Sequence, residues 1–149
     1  MFAIRFAAVI TLGSLLASTG NAQDQEWERQ LRAQTQIKSG AEYANMSSKG
    51  YSLVDVARTS LLDASGSEVV SVSMPVGSEY IIMGVCDNDC SDLDLSLLKS
   101  GVELSEDTTT DDWPLVNVTP TGDAGYQIKV TMYDCSTSNC GYQLTVWKK

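Results

Sequence analysis

The chain of 149 residues carries 19 acidic side chains against 10 Lys and Arg, four cysteines and no histidine. A net charge of −9 disfavours nucleic acid and anionic membrane surfaces, both of which are held by clustered positive charge. The missing imidazole excludes Ser-His-Asp and Cys-His catalysis and histidine-ligated zinc.

The chain opens with Arg5, an apolar run from Phe6 to Ala17, and small residues ending in Gly20-Asn21-Ala22. The run is too short to span a bilayer and has the layout of a secretory signal peptide cut after Ala22. The expected divisions are a leader over 1–22, a helical arm and linker over 23–49, and one domain over 50–149. The exported product would lose Arg5 with the leader and stay acidic, with no later stretch apolar enough for membrane insertion. A charge of this sign keeps exported proteins soluble, and a monomer is expected.

Asp24 to Lys38 is polar and helix-prone, with Trp27, Leu31, Ile37 and Ala41 on one thin apolar stripe. Ser39-Gly40 stops it, and Ser47-Ser48-Lys49-Gly50 reads as a turn or linker. From Tyr51 the pattern changes to period two. Val70, Val72, Met74 and Val76 alternate with polar residues or Pro75, and Tyr80, Ile82 and Gly84 lead to Cys86. Leu93, Leu95 and Leu97 alternate with Asp92, Asp94 and Ser96. Val116 and Val118 flank Asn117. Tyr126, Ile128, Val130 and Met132 form a further face, as do Tyr142, Leu144 and Val146.

Each such run is a half-buried strand. Turns are expected at Ser65-Gly66-Ser67, Val76-Gly77-Ser78, Ser100-Gly101 and 121–125. Short strands at this spacing predict a mainly β fold, an antiparallel sandwich of jelly-roll type with a short N-terminal helix.

In an exported chain an even cysteine count implies disulfides. The favoured pairs are Cys86 with Cys90 and Cys135 with Cys140. The second would close a hairpin between the last two strands. Crossed pairing, such as Cys86 with Cys140, needs both loops at one end of the sandwich. The spacings are C-x3-C and C-x4-C, which departs from the redox C-x-x-C pattern.

The stretch from Cys86 to Leu95 adds four aspartates to its two cysteines. Asp87, Asp89, Asp92 and Asp94, with Asp107, Asp111 and Asp112 from a later loop folded back through Gly101, are candidate ligands for Ca²⁺, which takes six to eight oxygens. No EF-hand is present: with Asp87 first, the sixth position is Asp92 and the twelfth Leu98. The competing reading is that these carboxylates accept backbone hydrogen bonds in tight turns. A third is a pair of carboxylates for glycoside hydrolysis. Tyr133 and Trp147, out of phase with the core, would lie on the outer face of the last hairpin, either as a binding surface or under the helix with Trp27.

These residues carry a resemblance. Tyr80-Ile81-Ile82-Met83-Gly84, Asp92-Leu93-Asp94-Leu95, the 107–112 segment ahead of Pro114, Val116-Asn117-Val118-Thr119-Pro120, Gly125 to Val130 and Tyr142 to Val146 together resemble the bacterial pre-peptidase C-terminal domain. That family implies a jelly-roll-like sandwich appended to exported enzymes, with calcium held by acidic loops in some members and extracellular polymers bound by others. The expected function is a non-catalytic exported binding or accessory module for a protein or polymer. The alternatives are a standalone inhibitor or chaperone of an exported protease, and a carboxylate-dependent hydrolase.

Overall fold

The computed structural model describes residues 22–122 and 125–149. Residues 1–21 of the expected leader, and residues 123–124 within the turn expected at 121–125, lie outside the described residues.

A helix, α1 (Ala22–Ser39), precedes eight strands: β1 (Ser52–Asp63), β2 (Ser67–Ser71), β3 (Tyr80–Cys86), β4 (Cys90–Lys99), β5 (Val102–Asp107), β6 (Leu115–Val118), β7 (Tyr126–Cys135) and β8 (Asn139–Lys148). They form two four-stranded antiparallel sheets, ordered β1-β8-β3-β6 and β2-β7-β4-β5. This is the mainly β sandwich expected from the period-two runs.

Leu93, Leu95 and Leu97 of β4, Ile128, Val130 and Met132 of β7, and Tyr142, Leu144 and Val146 of β8 fill the space between the sheets. A strand whose alternate residues are apolar buries that whole face at once, because successive side chains point to opposite sides. At one open edge the Tyr142 hydroxyl donates to Glu68 of β2 at 2.5 Å. Arg58 of β1 pairs with the same carboxylate at 2.5 Å, so polar groups clip the sheets together there.

The outer face of β3 and β8 is also covered. Leu31 of α1 packs with Ala44, Met46, Tyr51, Met83 and Val85, and Trp27, Trp113 and Trp147 flank this second core. Thr35 donates to Gln143 at 2.8 Å, and Gln143 donates on to Thr59 at 3.0 Å. The arm is therefore a third layer on one sheet. Its stripe differs from expectation: Ile37 is exposed, Ala41 is exposed, and Thr35 takes the buried place. A hydrogen-bonded threonine fits there because Gln143, itself held by Thr59, supplies its partner.

Three further expectations change. The run from Val70 to Val76 is strand only to Ser71. Val72 adds one more bond, to the Tyr126 carbonyl, before Pro75, which has no N–H to continue a ladder. Strand β1 had no legible alternation, since register shifts at Leu53/Asp55 and Val56/Arg58 break its period.

The last two strands form no hairpin. β7 and β8 belong to different sheets, so residues 136–138 cross the sandwich. Tyr133 and Trp147 accordingly lie on opposite outer faces: Tyr133 is exposed, while Trp147 joins the core under the helix. Among the described residues, only at Ser100-Gly101, both with positive φ, does a two-residue hairpin turn join neighbours, β4 and β5.

Candidate functional site

Both disulfides close places where the chain crosses from one sheet to the other. Cys86–Cys90 spans the step from β3 to β4, and Cys135–Cys140 the step from β7 to β8. The two local pairs are those favoured from the spacing. Cys90 sits opposite Cys135 in the β4–β7 ladder, so both crossings lie side by side at one end. The pairs are local although both loops lie at one end of the sandwich, the condition that crossed pairing needs. Two disulfides are characteristic of an oxidising, extracellular compartment. Among the described residues, no helix is long and apolar enough to cross a membrane.

Asp87 is the junction of this end. Its Oδ2 accepts the Gly141 N–H at 2.5 Å and its Oδ1 the Asp89 N–H at 3.2 Å, while its own N–H donates to the Gly141 carbonyl at 3.0 Å. The Ser136 N–H and hydroxyl both donate to the Asp89 carbonyl, at 2.8 and 2.9 Å. Gly141 leaves room for Trp27: a Cβ there would stand 2.5 Å from the indole. The helix then reaches over the first loop, with the Asn88 N–H donating to Gln30 at 3.1 Å.

Between these parts lies a cleft of about 420 Å³. Glu26, Trp27 and Gln30 form its helical wall. Asp87 and Asp89 come from the first crossing, Thr137 and Asn139 from the second, and Leu61 from β1. Burial pushes the Asp87 carboxyl upward, its two backbone donors oppose that, and the neighbouring Asp89 adds to it. Of the cleft residues, only Asp87 and Asp89 were legible as site candidates. Trp27 was legible only as a packing residue. Leu61, Thr137 and Asn139 carried no signal, since their meeting depends on contacts far apart in sequence.

The other acidic side chains do not join this cleft. The Asp107 Oδ2 accepts the Leu115 N–H at 2.8 Å, and its Oδ1 accepts from Thr109. Asp111 accepts from Trp113 and Thr109, and Asp112 pairs with Lys38 at 2.8 Å. The 107–112 loop does fold back over β4 as expected, with the Leu93 N–H donating to the Asp111 carbonyl at 2.9 Å.

That cover buries Asp92 to 6% exposure and leaves its Oδ1 without a partner. Burial, then Asp111 and Asp134, raise its carboxyl. Asp94 is raised by burial, then by Asp92, Asp107, Glu106 and Asp111. Among the described residues no three acidic or cysteine side chains converge on a metal position. Both carboxylate oxygens of Asp87, Asp107 and Asp111 are taken by backbone or threonine donors, so the seven candidate aspartates are not gathered into one calcium shell.

Asp87, Asp92 and Asp94 hold their protons more tightly in the native chain than in the unfolded one. Between the ordinary and the raised values the native state binds more protons, so stability falls as pH rises through that window. The Tm is expected to be higher near pH 5 than near pH 8. Asp92→Asn should raise stability at pH 8 by about 1 kcal/mol, on the order of the cost of a buried group left unsatisfied, and flatten this slope. Melting curves at both pH values check it. A wild-type Tm raised by millimolar Ca²⁺, with no response in Asp92→Asn, would show that a cation and not a proton neutralises the group.

No protein-family model matches this chain, and no curated protein matches it either.

Proposed function

We propose that the chain is an exported, non-catalytic binding module that recognises an extracellular or periplasmic protein or polymer through the cleft between α1 and the two disulfide-closed crossings. The observation that carries this reading is the construction of the cleft. Its walls come from the helix and from two crossings tied by disulfides and to each other by backbone hydrogen bonds. A concave polar site on a rigid frame loses little freedom on binding.

Catalysis has less support. Asp87 spends both carboxylate oxygens on backbone donors, and the chain has no histidine to serve as a base. The resemblance to the pre-peptidase C-terminal domain points the same way, toward an accessory sandwich accompanying exported enzymes.

The test is capture from the exported fraction on immobilised protein. Wild type and Tyr133→Ala, on the far sheet, should retain the same partner. Asn139→Tyr, which fills the cleft without changing charge, should lose it. Capture that survives Asn139→Tyr would overturn the reading. Turnover of a glycan or peptide substrate that disappears in Asp94→Asn would replace it with a hydrolase.

A further inference from the structure

The chemistry of the cleft narrows its occupant. Glu26, Asp87 and Asp89 face it, and no described Lys or Arg is among its lining residues. Trp27 adds an indole, the aromatic ring that attracts cations most strongly, and Thr137 and Asn139 add neutral polar groups. Arg29 pairs with the lining residue Glu26 along the helix while 71% exposed. An exposed pair of this kind is weak and opens readily.

Asp89 is exposed, and the hydrogen bonds it makes in the loop use its backbone groups. Its carboxylate is therefore placed to meet an incoming donor. The Asp87 carboxyl feels Asp89 with no cation contributing to its balance. A volume of about 420 Å³ lies within the usual range for a small-ligand site.

We infer that this cleft takes the guanidinium of an arginine side chain presented by a peptide segment of the partner. This rests on the binding-module reading and names the partner's chemistry. A guanidinium suits the cleft better than an ammonium does: its planar fork can engage carboxylate oxygens in pairs and stack on an aromatic face. The two crossings hold Asp89 and Asn139 on one rigid rim, so the acceptors are placed before the ligand arrives.

The experiment is an NMR titration of the full exported chain, following the Trp27 indole N–H and the Asp89 amide. The probes are a blocked tripeptide Gly-Arg-Gly, the same peptide with citrulline, and spermidine. The arginine peptide should give saturable shifts at both groups. Its affinity should fall at least fivefold in Asp89→Asn and at least tenfold in Asn139→Lys, which places a cation on the rim. Citrulline, isosteric and neutral, should give none.

Equal response to citrulline, no saturation with arginine, or full affinity in Asp89→Asn would each overturn the inference. Spermidine binding without arginine-peptide binding would assign the cleft to a small polyamine and overturn it as well. If Asn139→Tyr abolishes partner capture while the arginine peptide fails to bind, the cleft remains the binding site and only its guanidinium specificity falls.

Discussion

Replacing all four cysteines by alanine is expected to lower the free energy of unfolding by about 4 kcal/mol. Each disulfide closes a loop of only a few residues, separated by 4 and 5 positions, and loops this short contribute about 2 kcal/mol each through the unfolded chain. Domains of this size are stable by roughly 5–15 kcal/mol, so the variant should sit near its folding limit.

The two pairs should not cost the same. Cys86 is fully buried and Cys90 nearly so, so their loss also leaves a small void in the core. In the second pair Cys140 is as buried as Cys86, but Cys135 is only partly buried, so the void it leaves is smaller. The crossings bond to each other through Ser136, Asp89, Asp87 and Gly141, and this contact should make the double loss differ from the sum of its parts. Urea melts of the two pair variants and the quadruple variant measure all of this. An unchanged midpoint on reduction of the wild type would contradict it.

Leu31→Ala is expected to cost about 3 kcal/mol, within the range for truncating a fully buried leucine. Leu31 is 0% exposed and sits over Met83 and Val85. Those two residues belong to a strand apolar on both faces, so without the helix β3 would present Ile81, Met83 and Val85 to water. A contiguous patch of that kind promotes association. Hydrogen exchange of the α1 amides, read beside a denaturant melt, separates local undocking from global loss. Helix amides that exchange freely while the melt is unmoved would mean that the arm is outside the cooperative fold.

Much of the sandwich was legible because its strands state their inner face locally. Leu93-Asp94-Leu95-Ser96-Leu97 and Tyr126 to Met132 read as two-residue alternation, and that is how they pack. Strand β1 was hidden because its bulges break the period. Strand β5 was hidden because Val102 and Leu104 are exposed at an edge. The candidate site was half legible. Asp87 and Asp89 stood out as charges, yet what distinguishes them from Asp107 and Asp111 is their place beside Trp27 and Asn139.

By itself, then, the sequence determined the fold class and the inner faces of the main strands, and it favoured the local pairing of the cysteines without closing the crossed one. The strand faces rest on a spacing of two residues, which local geometry enforces. Tertiary structure decided that β7 and β8 part into different sheets, that the helix forms a third layer, and that loops and helix meet around one acidic cleft. It also decided that Asp92, one of four similar aspartates in its segment, is buried without a partner for its Oδ1. Those outcomes depend on pairing and burial between residues distant along the chain, where the energy of a contact belongs to the assembled layers and not to any local stretch.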